Sequence, residues 1–73
     1  MKAIISRKSE VDINGNMEIC FDLYSDKGEK LYSNLTTYGM PETIENNIKQ
    51  IGNNLKTQIK IMETIKIGQE III

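Results

Sequence analysis

Residues 41–65 constrain the fold most strongly, because they have the pattern of one long amphipathic helix. Their apolar residues follow one another at steps of three or four, which places them on one helix face. At about 100° per residue, the residues from Ile44 to Met62 span an arc of roughly 80°. A stripe of this kind has to cover an apolar surface, and the preceding residues are expected to supply a sheet. The stripe consists of Ile44, Ile48, Ile51, Leu55, Ile59, Met62 and Ile65.

Gly52 leaves two interpretations of this helix open. Glycine inside a helix costs about 1 kcal/mol relative to alanine, so the chain could break there into two short helices. We favour a continuous helix, because the apolar phase runs unbroken from Ile51 to Leu55. In that helix the missing side chain of Gly52 would allow a close approach to the sheet. The helix should stop near Ile65, since a further turn would bring Lys66 into the apolar stripe.

The first forty residues predict two hairpins. A strand over residues 2–13 is followed by Asn14-Gly15-Asn16, and Asn-Gly is a strong turn signal. Residues 17–24 alternate cleanly between apolar and polar side chains, which is typical of a half-buried strand. A three-residue loop or a bulge is needed to keep acidic residues off the apolar face. That register pairs Ile13 with Met17 and Val11 with Ile19.

A second turn at Asp26-Lys27-Gly28 leads into a strand over residues 30–38, and residues 70–73 predict a short C-terminal strand. The predicted fold class is α+β: a three-stranded antiparallel meander packed by one long helix, with that final strand. The turn register pairs Leu23 with Leu31, Phe21 with Ser33 and Ile19 with Leu35. The predicted core consists of Ile19, Phe21, Leu23, Leu35, Ile48, Ile51 and Leu55.

Composition narrows the function by exclusion. The chain has 73 residues, which allows one domain, and a net charge of −1 that is evenly spread. This balance lacks the basic excess that is typical of nucleic-acid binders, so we expect no nucleic-acid partner. One cysteine and no histidine leave neither an internal disulfide nor a plausible metal site. The sequence contains no apolar stretch with the features of a signal peptide or the length of a membrane helix. We therefore expect a cytoplasmic or virion location. Association with other chains remains as a way to stabilise so small a core.

No set of residues has the pattern of a catalytic or cofactor site. Asp22, Asp26 and Glu29 flank an exposed turn, without a pocket or a nucleophile nearby, and Cys20 has no histidine partner. The lysines at 49, 56 and 60 form a basic ridge on the helix, which is either a solvated face or a phosphate contact. We therefore expect a protein that is not an enzyme and needs no cofactor.

The tyrosines and the C-terminal isoleucines are the candidate binding residues. The alternation places Tyr24, Tyr32 and Tyr38 on the sheet face away from the helix, as strand formers or as an interface. About 10 Å of the predicted helix overhangs the sheet. Exposed apolar residues in that region would mark an interface with a protein, most simply another copy of the chain. The candidate interface residues are Ile61, Met62, Ile65, Ile71, Ile72, Ile73, Tyr24 and Tyr32.

Three segments of the chain also resemble small proteins encoded in phages and prophages of low-GC bacteria. They run from Phe21 to Asn34, from Tyr38 to Ile44 and from Ile65 to Ile71. The resemblance implies a virion or assembly component. Alternatively, it implies a small inhibitor or regulator that binds a host defence protein, a nucleic-acid complex or a signalling nucleotide. It assigns a functional role to no residue of this chain.

Overall fold

The computed structural model describes residues 1–73 and contains three strands and one helix. Strands β1 (Lys2–Lys8), β2 (Met17–Tyr24) and β3 (Lys30–Gly39) form one antiparallel sheet in the order β1-β2-β3, and helix α1 (Pro41–Glu63) packs on one face. The predicted α+β meander with one long helix is confirmed. The predicted strand at residues 70–73 is not formed, because these residues have no neighbouring strand with which to make a ladder.

Strand β1 ends five residues earlier than predicted, because Asp12 organises a longer turn. Its carboxylate accepts hydrogen bonds from the backbone N–H groups of Asn14 and Asn16, both at 2.9 Å. Short polar side chains of this kind compete with ladder formation. The pairings Ile13–Met17 and Val11–Ile19 are therefore wrong. Lys8 lies opposite Ile19 instead, and the side chains of Val11 and Ile13 are exposed.

The second hairpin starts in the predicted register and then shifts twice. Tyr24 lies opposite Lys30 as expected, but Leu23 lies opposite Tyr32 and Phe21 opposite Leu35. The second shift is held by Asn34, whose φ is 57° and whose backbone N–H donates to Asp22 at 3.0 Å. The predicted pairs Leu23–Leu31, Phe21–Ser33 and Ile19–Leu35 are wrong. Each one-residue shift turns the β3 side chains that follow it to the other face of the sheet. After two shifts, Leu35 is again on the helix side.

The core is small and lies between β2, β3 and the first half of α1. Phe21 is completely buried, and Ile19, Leu23 and Ile44 are nearly so. All seven predicted core residues belong to this cluster or pack against it, which confirms the predicted core. Four of them are only half-buried: Leu35, Ile48, Ile51 and Leu55.

Helix α1 is continuous through Gly52, as we favoured, and ends two residues before the predicted Ile65. Pro41 occupies its first turn, where a missing N–H leaves no bond unmade. The explanation offered for Gly52 is wrong, because a Cβ there would meet no atom within 4 Å. The close approach occurs at Gly39, where a Cβ would lie 3.2 Å from side-chain atoms of both Thr43 and Asn47.

One helix is too narrow to cover three strands. Its diameter with side chains is about 10 Å, whereas three strands that are spaced about 4.8 Å apart occupy a width of about 14 Å. The core cluster includes residues of β2 and β3 but none of β1. Every residue of β1 is exposed as a result, although its backbone pairs with β2 along most of its length.

Candidate functional site

The chain leaves more surface exposed than a compact domain of its size. Its accessible area is 6045 Å², whereas a folded monomer of 8.3 kDa is expected to expose about 4,600 Å². The radius of gyration is 15.9 Å, against about 11 Å for a compact chain of this length. The excess of roughly 1,500 Å² exceeds the area that one partner commonly contributes to a stable interface, about 800 Å².

Much of the exposed apolar surface lies at the end of α1 and beyond it. We call Ile61, Met62, Ile65, Ile67, Ile71, Ile72 and Ile73 the C-terminal patch; each of these side chains is more than half exposed. Six of the seven are candidate interface residues, and the structure places all six in the solvent-exposed part of the chain. Met62 also lines a shallow hollow with Leu31, Tyr32 and Ile59. A concentration of exposed apolar side chains in one part of a chain is typical of an interaction surface.

The segment after the helix projects away from the domain. The longest dimension of the molecule is 53 Å, whereas the 23-residue helix is about 35 Å long. A turn sets the direction: Gln69 donates its backbone N–H to the Lys66 carbonyl at 3.0 Å, and Gly68 has a φ of 84°. Residues 70–73 follow this turn without backbone partners.

The tyrosines do not form the single surface that was predicted. Tyr32 packs against the core on the helix side, because the first register shift in β3 reverses its direction. Tyr24 follows the buried Leu23 and lies on the other face, where the Lys30 ammonium group is 5.8 Å from the ring centroid. The expected placement of all three tyrosines on the far face is therefore wrong for Tyr32. Tyr24 and Tyr32 cannot belong to one contact surface.

A groove between β1 and α1 was not predicted from the sequence. We call it the β1–α1 groove; it has a volume of about 430 Å³ near Pro41 and about 310 Å³ near Met1. The sequence feature that could have predicted the groove is the apolar pair Ala3 and Ile5, which lie on one face of β1. The adjacent Ile4 is also apolar, so no clear alternation is visible there. Its apolar lining is Ala3, Ile5, Leu23, Ile44 and Ile48, and its helix side carries Glu45, Lys49, Asn53 and Lys56.

The titratable groups with shifted pKa values hold turns together. The Tyr38 hydroxyl donates a hydrogen bond to Asp12, which lowers the pKa of Asp12 and raises that of Tyr38; the Asn16 and Asn14 amides lower the Asp12 pKa further. The amino group of Met1 donates to Asp26 and lowers the pKa of that carboxyl. These contacts fasten residues 9–16 to β3 and the chain start to the second turn.

The remaining polar candidates do not converge on a reaction site. Asp22 contacts Lys30 at 3.7 Å and holds the β3 bulge, so its oxygens serve the fold. Cys20 is buried and accepts a hydrogen bond from Arg7 at 3.4 Å. No group of three or more Cys, Asp or Glu side chains is arranged to hold a metal ion.

Comparison with known proteins found no matching family model, no matching curated protein and no matching solved structure. The helix lacks the combination of length and apolar character that is required to cross a membrane. Functional inference for this chain therefore depends on its surfaces.

Proposed function

We propose that the protein is a non-enzymatic structural or assembly component that acts by binding other protein chains, with a second copy of itself as the first candidate. The observation that carries this proposal is the C-terminal patch, which gathers seven exposed apolar side chains in one region. The excess accessible area, to which these side chains contribute, shows how much surface the chain has available for a partner. Burying that area would stabilise a domain whose own core contains only four tightly buried side chains and their half-buried neighbours.

A non-enzymatic role is also favoured by the way the polar side chains are used. Asp12 organises the first turn, Asp22 holds the β3 bulge, and Asp26 contacts the chain start. None of them lies beside a nucleophile or a second carboxylate in an enclosed cleft, as general acid–base chemistry requires.

The resemblance to phage-encoded proteins extends the proposal to a component of a virion or of its assembly.

The test is the mass of the protein in solution over a wide concentration range, measured by light scattering after size exclusion. Wild type is expected to form a dimer or a larger species. Ile61→Glu combined with Ile72→Lys should return it to a monomer, because both charges fall within the C-terminal patch. The matched control is Ile13→Glu with Val11→Lys, which makes the same chemical changes on exposed residues of the first turn.

The control should associate like wild type. A wild type that is monomeric at every concentration would overturn self-association. If a protein that binds the wild type then bound the Ile61→Glu/Ile72→Lys variant as tightly, the C-terminal patch would be excluded as the interface altogether.

A regulator that binds a phosphate-bearing ligand, such as a signalling nucleotide, is the second candidate. It is supported by Lys49 and Lys56, which line the β1–α1 groove together with Gly52 and Asn53. Lys56 can pair with a phosphate group, and Lys49 can join it by exchanging its contact with Glu45, at 3.3 Å, for the phosphate, while the apolar floor of the groove contacts a base. Thermal shift with a panel of cyclic dinucleotides tests this candidate, with Lys49→Glu/Lys56→Glu as the unresponsive variant. A panel without any shift would remove it.

A further inference from the structure

Strand β1 presents a free edge that is suited to accept another strand. It is the outer strand of the sheet, so the backbone groups on its far side have no partner. Three consecutive residues near its start, Ala3, Ile4 and Ile5, are apolar, and the isoleucine side chains are about half exposed. Edge strands with such a centre commonly bind an extended segment from another chain through main-chain hydrogen bonds.

The β1–α1 groove lies beside this edge and would receive side chains from an added strand. Ala3 and Ile5 pair with Leu23 and Phe21, so they point to the helix side of the sheet and line the groove. Ile4 points to the opposite side. A strand added to β1 would therefore have the apolar groove under one face and the Ile4 side chain beside it on the other, which suits a segment whose successive residues are all apolar.

The C-terminal segment of the chain has that composition. Residues 71–73 are three consecutive isoleucines, and β-branched residues favour the extended conformation of a strand. All three are exposed, and their backbone groups have no partners. Alternation along a strand would place Ile71 and Ile73 in the groove, with Ile72 and Glu70 on the opposite face beside Ile4.

Charge favours this segment over a second copy of β1 as the occupant. Strand β1 carries Lys2, Arg7 and Lys8 and no acidic residue, so two copies pairing with each other would bring like charges together. Arg7 points to the face opposite the helix, where its guanidinium group contacts Cys20. Glu70 of the added strand would lie on that same face, where Lys2 and Arg7 provide cationic partners.

The conformation of the segment favours a second molecule over the same one. Residues 70–73 follow the turn at residues 66–69, are exposed, and form no backbone hydrogen bonds with their own β1. Two molecules exchanging these segments would bury two grooves and two β1 edges. Such an exchange draws on the roughly 1,500 Å² of excess area in each chain, which is ample for a stable dimer.

We propose that residues 69–73 of one copy add as a strand to the free edge of β1 in a second copy, with Ile71 and Ile73 in the β1–α1 groove. This inference rests on the proposed self-association and adds the surface that receives the C-terminal segment. The association is reciprocal, because each chain carries both the segment and the groove.

The first test is a cross-link between the two elements. The variant Ile4→Cys with Ile72→Cys is oxidised under mild conditions, and the linked peptides are identified by mass spectrometry. Ile4 is 47 % exposed and Ile72 is 94 % exposed, so neither change disturbs the core, and native Cys20 is buried. We expect a disulfide between residues 4 and 72 in a species of twice the chain mass. The control, Ile13→Cys with Ile72→Cys, should not form that species.

The second test weakens the receiving groove. Ile5→Lys places a charge on its floor and is expected to raise the dissociation constant of the dimer by about tenfold or more. Ile13→Lys is the control at an exposed site outside the groove, and it should leave the dissociation constant unchanged.

The outcomes separate this inference from the general proposal. A wild-type oligomer that survives Ile5→Lys and forms no 4–72 disulfide overturns the exchanged strand, while self-association stands. A 4–72 disulfide within a single chain shows that the segment binds its own β1, which also overturns the inference. A wild type that is monomeric at every concentration refutes both.

Discussion

Truncation of Phe21 tests the assignment of the core most directly. Its side chain is completely buried in the middle of β2, between Leu35 across the ladder and Ile44 on the helix. Replacing a buried phenylalanine by alanine costs about 3–5 kcal/mol, from lost apolar burial and the cavity left behind. A domain of this length has a stability of roughly 4–11 kcal/mol. The five buried residues of this chain place it in the lower part of that range, so Phe21→Ala should be largely unfolded at low protein concentration.

Leu55→Ala provides the graded comparison, because Leu55 packs against the same core while remaining half-buried. Its loss should be smaller, about 1–2 kcal/mol, in proportion to the area removed from water. Urea unfolding followed by circular dichroism measures both changes. With an m-value near 1 kcal/mol per molar, each kcal/mol lost from the free energy of unfolding lowers the midpoint urea concentration by about 1 M. All samples are compared at one low concentration, since association would add stability.

Ile13→Ala is the control, since Ile13 is fully exposed, and it should leave the midpoint within about 0.5 M of wild type. The reasoning would be refuted if Phe21→Ala unfolded as cooperatively as wild type with a midpoint shift no larger than that of Leu55→Ala. That result would mean that the helix does not cover the face of β2 to which Phe21 belongs.

Three further predictions concern the helix and the turns. Gly52→Ala should stabilise the protein by about 1 kcal/mol in the same urea assay, because the helix gains a better former and the added methyl group meets no atom; Gly28→Ala, at a φ of 86°, should destabilise it. Asp12→Asn should flatten the acid limb of the stability–pH profile. The pKa of Asp12 is lowered below its ordinary 3.8 chiefly by the Tyr38 hydroxyl, so its contribution is complete above pH 3.8 and is lost as the pH falls through the lower folded value. Asp22→Asn should weaken the β3 bulge and lower the melting temperature while leaving association unchanged, and a selective loss of association would assign Asp22 to the interface.

The sequence predicted the features that depend on local periodicity. The apolar steps from Ile44 onwards located the helix within two residues at its end, and the alternation of residues 17–24 located β2 to the residue. The turn before Gly28 was also placed correctly, because a glycine with positive φ has a fixed position in such a turn. These patterns involve residues that are close in the sequence, so they can be recognised without knowing how the elements pack together.

The features that were missed depend on single polar side-chain contacts. Asp12 captures the backbone of its own turn and shortens β1, and Asp22 binds the backbone of Asn34 across the hairpin and shifts β3. Neither contact leaves a periodic trace. The other register shift in β3, between the Tyr24 and Leu23 pairs, decided which face Tyr32 occupies, and the alternation of apolar residues did not indicate it either. The β1–α1 groove was missed for a related reason, because it follows from the width of the helix against the sheet and not from any motif.

The complete exposure of β1 also determines which part of the molecule opens first. The hairpin of β2 and β3 and the helix come from one continuous stretch, residues 17–63, and contain nearly all of the buried apolar area. Strand β1 is joined to them by its backbone ladder and by the contact between Met1 and Asp26. In native-state hydrogen exchange the β1 amides should lose protection through local opening at low free energy, while central β2–β3 amides exchange only on global unfolding. The N-terminal strand is thus a separately opening unit, and a sheet that releases it exposes a second, wider edge on β2.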